Sequence, residues 1–405
     1  MTCVRFLAPL ALAACAAPSA TAQSTTYADV TATHLPAAAE LHALDGVFFD
    51  GDGDGDLDLA VAVEGEVNPL YRNEGDGRFV RVEGAFGTTP HDTEHVKTDD
   101  FDGDGHADLV FVAEDDQTHQ LFLGRGDGGF QDASDRLPGR SEGNGLAVGD
   151  VDGDGRPDIV VGSSTGGEGG GQELLWLSDP ERPGWFIDAT RTHLPQVEDA
   201  TQDVLLADLD GHGDLDMVVA NEVGPPRLLV NDGEGRFSDA SDRLEPAAAM
   251  HSREVHALDA NGDGRLDLVF FNLTSNNQGW EFDPQTRLLI QGADGRFVDE
   301  TAERLPAHRF SSWGGQVVDF NADGHPDLVV SAIAVPGFEP QQVRAWRNDG
   351  QGRFTDVTET TIPAETVGRG WSMDAADLNG DGVPDVFIGG WGTQARLLMS
   401  GGAAE

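Results

Sequence analysis

The chain has 405 residues and is 39% hydrophobic, with 53 Gly, 20 Pro and a formal net charge of −47 from 72 acidic and 25 basic residues. So acidic a surface excludes nucleic acid as a partner, because phosphate binding requires a basic face. The cysteines, Cys3 and Cys15, lie at the extreme N-terminus, so the body of the chain has no disulfide and no thiolate metal site.

Residues 1–22 read as an export signal, with Arg5 ahead of the apolar stretch Phe6 to Ala14, which is too short to span a bilayer. Two processing routes are open. Cleavage after Ala20-Thr21-Ala22 would release a periplasmic or secreted protein. Alternatively, Leu12-Ala13-Ala14-Cys15 resembles a bacterial lipobox, with residues 1–14 as signal, a lipid anchor at Cys15 and residues 15–25 as tether. The product would then be an outer-membrane or cell-surface lipoprotein. No later segment is apolar enough for a transmembrane helix.

From residue 26 to 405 the chain is repetitive. The motif Asp-x-Asp/Asn-x-Asp-Gly-x-x-Asp, followed by an apolar run, starts at Asp50, Asp100, Asp150, Asp208, Asp259, Asp319 and Asp377. Between copies, a Gly-rich turn leads into Phe and often Asp-x-Thr/Ser, as at Asn348-Asp349-Gly350-Gln351-Gly352-Arg353-Phe354. Each unit predicts four strands. Strand A enters the acidic loop (Val204 to Ala207), B leaves it (Leu328 to Val330), C follows a variable loop (Arg227 to Val230) and D follows the Gly-rich hairpin (Phe354 to Thr358). Four strands per unit is one propeller blade. The last unit stops after its strand C at Leu397-Leu398-Met399, while Tyr27-Ala28-Asp29-Val30-Thr31 supplies a spare strand D. The expected fold is all-β: a seven-bladed β-propeller of four-stranded blades, closed by the N-terminal strand completing the last blade, which removes an open sheet edge.

The phrases Asp100-Phe101-Asp102-Gly103-Asp104-Gly105-His106-Ala107-Asp108-Leu109-Val110 and Asn321-Ala322-Asp323-Gly324-His325-Pro326-Asp327-Leu328-Val329 resemble the FG-GAP/VCBS repeat family, which includes the propeller of integrin alpha chains. The resemblance spans residues 26–405. It implies the fold and leaves the activity open.

Carboxylates clustered at fixed spacing repel one another unless a cation lies among them, and calcium prefers such oxygen donors. Gly at position 6 permits the sharp turn that lets positions 1, 3, 5 and 9 converge. The expected calcium ligands are Asp50, Asp52, Asp54 and Asp58; Asp100, Asp102, Asp104 and Asp108; and Asp150, Asp152, Asp154 and Asp158. With Asn at position 3, they continue as Asp259, Asn261, Asp263 and Asp267; Asp319, Asn321, Asp323 and Asp327; and Asp377, Asn379, Asp381 and Asp385. In the fourth loop His212 replaces the position-5 acid beside Asp208, Asp210 and Asp216, so binding there is expected to be weak or absent. About six Ca²⁺ sites result, structural staples with no EF-hand Glu at position 12.

Residues leading into strand A should ring the channel mouth opposite these loops. His42, His95, Asn144, Asp203, Arg253, Trp313 and Trp371 are the candidate ligand-binding residues there. No catalytic motif is present, and two functions stay open. One is a non-catalytic binding or adhesion module, monomeric, engaging a polysaccharide or extracellular protein through the upper face. The other is a carbohydrate-active enzyme of lyase or dehydratase type, with His95 or His42 as base.

Overall fold

The computed structural model describes residues 27–37, 41–164, 171–245, 250–273, 285–308, 310–332, 342–366 and 370–401. The expected export signal, Cys15 and most of the loops after strand B in the third and fifth units lie outside them.

The fourth unit shows the pattern of all the others. Strand A spans Ala200–Ala207, B Asp216–Val223, C Arg227–Asn231 and D Phe237–Asp239, each antiparallel to the next. Met217, Val218, Val219 and Ala220 of strand B have no exposed surface, which explains an unbroken apolar run where one-sided strands alternate. Strand D is shorter than the sequence pattern predicts, because its Asp-x-Thr/Ser motif ends it. In Phe354–Asp356, Asp356 Oδ1 accepts the Thr358 N–H (3.0 Å), and a helical turn over Thr358–Thr361 begins there. Thr358 Oγ1 in turn accepts the Ala345 N–H of strand C (3.1 Å).

Apolar cores lie between units, where the flat faces of neighbouring sheets meet. Val269, Phe271 and Leu288 pack against Leu328, Val330 and Trp346 of the following unit, and Leu59, Val61 and Tyr71 of the first pack against Phe387 and Leu397 of the last. Clusters of the same kind join each intervening pair. Strand A of every unit lies beside strand A of the next, and the last beside the first, so the sheets close a circle.

The architecture is therefore a propeller of four-stranded blades, with one departure from expectation. Five units stand as separate four-stranded sheets, whereas the first two are fused into one sheet of eight strands. The fusion has a local cause. Strand Asp58–Glu66 outruns its hairpin partner, and the overhang pairs with His91–Asp99 at Glu64–Asp92 and Glu66–His91. In place of seven free-standing blades there are five and one double-width sheet.

Closure follows the sequence pattern. Ala28–Asp29 pairs antiparallel with Arg396–Met399 in the last sheet. The segment makes contacts that strand D makes in other units: Val30 N–H donates to Leu397 O (3.0 Å), Thr31 Oγ1 accepts the Leu397 N–H (3.0 Å) and Asp29 pairs with Arg396 (2.9 Å). Tyr27 is buried, its hydroxyl donating to Pro384 O (2.8 Å). Deleting residues 27–31 should lower the melting temperature and cause self-association through the bared Arg396–Met399 edge. Calorimetry and sedimentation velocity test this; an unchanged, monomeric protein would contradict the closing role.

Candidate functional site

Each acidic loop is wound around its first carboxylate. In the second, Asp100 Oδ1 accepts the N–H groups of Gly103 (2.8 Å) and Asp104 (3.0 Å), and Oδ2 accepts that of Gly105 (2.8 Å). The position-3 side chain accepts from position 5, whether acid or amide: Asp102 to Asp104 (3.2 Å), Asn261 to Asp263 (3.0 Å), Asn321 to Asp323 and Asn379 to Asp381 (both 2.9 Å). Positions 4 and 6 both have positive φ. Position 4 is Gly in six loops, but Ala322 holds φ 55° in the sixth, a strained conformation for a residue with a Cβ.

The position-9 aspartate is deeply buried and stitches its unit together. Asp216 Oδ2 accepts the Leu209 N–H of the loop (3.2 Å) and Oδ1 the Asn231 N–H of strand C (2.9 Å). Asp108, Asp158, Asp267 and Asp385 are held in the same way. The loops also clasp neighbouring units: Asn231 Nδ2 donates to Val151 O and Asn348 Nδ2 to Ala260 O, both at 2.8 Å.

The carboxylates converge. Asp50, Asp52 and Asp54; Asp100, Asp102 and Asp108; Asp150, Asp152 and Asp158; and Asp208, Asp210 and Asp214 each bring three acidic oxygens within 4.8 Å of one another. These clusters can hold a metal ion. Burial, aided by the neighbouring acids, raises Asp216, Asp58 and Asp267 to about 6, Asp108 and Asp158 to about 7 and Asp327 to about 8. Asp214 Oδ1 and Asp327 Oδ2 are buried without a hydrogen-bond partner among the described residues. All donors are hard oxygens, so the sites fit a hard cation. His212 is not one of the three converging acids: it is largely exposed, and its Nδ1 pairs with Asp210 at 3.0 Å.

At the opposite mouth only His42, among the expected ligand residues, is substantially exposed. Its ring stacks on Trp391 (centroids 4.2 Å apart), and Nδ1 meets Glu64 (3.0 Å). Trp391 stacks on Trp371 (4.8 Å), which meets Trp313 (3.9 Å) and lies under the Arg253 guanidinium (5.5 Å). Arg253 is buried, reaching Gln202 Oε1 (2.7 Å) and, across the channel, Glu94 (3.1 Å).

The remaining expected residues go elsewhere. His95 turns into the channel, where its Nδ1 and Lys97 both meet Asp45 at 3.2 Å. Asp203 accepts the Val255 N–H of the next unit (2.9 Å). Asn144 donates to Glu114 (2.7 Å) and Ser164 (3.2 Å). So the mouth brings together His42, Arg253, Trp313 and Trp371, Asn144 borders it through Glu114, and His95 and Asp203 turn to contacts with other units.

The family model described as FG-GAP-like repeat matches residues 50–111, 100–161, 208–270 and 332–388, more than half the chain. This chain belongs to the FG-GAP-like repeat family. Relatives of this FG-GAP chain include human phosphatidylinositol-glycan-specific phospholipase D (35% identity over 102 residues, 23% of this chain and 12% of the relative). Cartilage acidic protein 1 of Xenopus tropicalis is 28% identical over 199 residues, 47% of this chain and 28% of the relative. The chain thus spans only a minor part of either. Similar solved structures include an Agrocybe aegerita lectin recognising non-reducing terminal N-acetylglucosamine (TM-score 0.51, 18% identity, 78% of this chain and 79% of that one). Another is BBS1N in complex with ARL6DN (TM-score 0.53, 12% identity, 95% and 99%). At these identities the structural likeness shows the fold alone.

Within this FG-GAP chain, sequence reasoning missed Asp214, Trp391, Glu64 and Glu114. Asp214 was detectable as an acid at loop position 7 that compensates for His212. Trp391 follows strand B of the last unit, where no motif marks it. Replacing Asp216 by Ala would leave two buried N–H groups without acceptors and should cost about 3–5 kcal/mol in urea unfolding, with Asp216→Asn milder. In chelator the native state binds the extra protons on these raised aspartates. Stability of metal-free protein should therefore fall as pH rises from about 4 to 8, read by melting temperature across that range.

Proposed function

We propose that the protein is an exported, calcium-binding, seven-bladed FG-GAP propeller that acts as a non-catalytic binding or adhesion module, taking a polysaccharide or protein ligand at its upper mouth. The eight-stranded sheet counts as two blades, because each half repeats the A-to-D order and an apolar cluster lies between the halves as between other neighbours. Calcium is the reading that best suits the loops. Positions 1 and 3 of all seven would supply oxygens, with position 5 in six and Asp214 in the fourth. Bound calcium would neutralise the loops and strengthen the clasp between blades, and it has no part in chemistry at the mouth.

The observation that carries the binding reading is the partly exposed His42–Trp391 stack, backed by the buried Trp371 and Trp313, at the end of the channel away from the calcium loops. Such faces stack on sugar rings and apolar side chains. The enzyme reading has one feature in its favour, the His95–Asp45 pair, whose Nε2 has no hydrogen-bond partner among the described residues. His95 is only 5% exposed, however, and Lys97 shares its carboxylate, so a substrate has no evident approach to it.

Metal analysis of the purified protein, melting with and without chelator, and a glycan array probed in both forms test the proposal together. Calcium at several equivalents, a marked loss of melting temperature on chelation, and glycan capture without turnover are expected. Absence of calcium or turnover of a captured glycan would overturn the corresponding part.

A further inference from the structure

The contacts at the upper mouth form a closed circuit. It runs from His42 to Trp391, Trp371, Arg253 and Glu94, and returns through the paired strands at Asp92 and Glu64 to His42. One side of the circuit is aromatic. The other is acidic, because Glu64, Asp92, Glu94, Glu114 and Asp115 lie near enough there for their charges to repel. Asp92, Glu114 and Asp115 bring their oxygens within 4.8 Å.

These five carboxylates meet one guanidinium, Arg253, which Glu94 already engages. The acidic side is therefore short of positive charge, and burial with mutual repulsion lifts Glu94 to about 8 and raises Glu64, Asp92 and Glu114 as well. On the aromatic side, Trp371 and Trp313 are more than nine-tenths buried, and neither indole N–H has a hydrogen-bond partner among the described residues. Buried indole N–H groups ordinarily find an acceptor. The circuit thus offers a stacking face at His42 and Trp391 and a carboxylate cluster that attracts a cation.

We propose that the mouth is a subsite for a saccharide bearing an unacetylated amine, with the sugar ring against the His42–Trp391 stack and its ammonium toward Asp92, Glu114 and Asp115. This rests on the binding reading above and narrows it. Anionic polysaccharides are disfavoured twice, by the local carboxylates and by the chain's net charge of −47. An ammonium group gains from both sides of the circuit, by charge pairing and by attraction to aromatic faces.

The test is titration of the calcium-loaded full chain with deacetylated glucosamine oligosaccharides, followed by calorimetry and tryptophan fluorescence. N-acetylated oligosaccharides of the same length, glucuronate-containing oligosaccharides and oligolysine serve as comparison arms. Amine-bearing sugars should bind and perturb the fluorescence, with N-acetylation weakening them roughly tenfold or more and added salt weakening them further. Trp391→Ala should abolish the fluorescence change. Asp115→Asn, at an exposed position that leaves the fold intact, should weaken binding several-fold. Equal affinity for acetylated sugars, or binding that survives both substitutions, would overturn the subsite while leaving the general glycan-binding reading standing. Binding of oligolysine without the saccharide would assign the mouth to a basic peptide instead and overturn the proposal. Binding of no arm, with no capture on the array, would sink both readings.

Discussion

A carboxylate almost wholly shut off from water, accepting one backbone N–H from the loop before it and one from strand C of its own sheet, recurs at Asp108, Asp158, Asp216, Asp267 and Asp385. An unpaired buried charge is costly, and two N–H partners reduce that cost without cancelling it. The same residue thereby fixes the loop against the sheet and leaves a cluster of acids that a hard cation would complete. At Asp108 and Asp158 the fold and the candidate ion site share one set of atoms. Remove the aspartate and the loop loses its tie to strand C, and with it the alignment of the amides that clasp the neighbouring unit at Val151 and Ala260.

The channel manages its charge differently. Asp45, Asp203 and Asp374 each accept a backbone N–H from a neighbouring unit's strand A, at Val96, Val255 and Phe48 respectively. Lys97, the chain's only lysine, stands among these three acids and is raised by them, so it keeps its proton despite its surroundings. The Asp45 carboxyl is correspondingly held low by Lys97 and His95. Polar residues that a sequence reader assigns to a ligand are in this way used up in joining sheet to sheet.

Much of the architecture was legible because it repeats. Seven acidic loops and an offset between the first and last strands led directly to the closed ring of sheets, and the pairing of Ala28–Asp29 with Arg396–Met399 is there in the structure. The join between the first two units was not legible: Glu64 and Asp92 meet across an overhang set by unequal strand lengths, which no motif encodes. At the mouth, residue type was legible but direction was not. Glu94 and His95 are consecutive, so the strand sends one to Arg253 across the channel and the other to Asp45, and the β-bulge between Thr93 and His95, which no motif marks, hides which goes where. Trp391 stayed hidden because its importance comes from stacking on residues far away in the chain, His42 and Trp371.

The bond from Leu397 N–H to Thr31 Oγ1 spans 366 positions of sequence. A ribosome delivers residue 31 long before residue 397, so the early segment must wait without this partner through nearly the whole of synthesis. The circle can form only when the full length is present in one compartment. Closing so large a loop adds little entropy cost beyond that of a mid-sized one, since the cost grows only with the logarithm of length. Timing is the greater burden, and a chain interrupted near its end would retain most of its sheets and still lack a sealed ring.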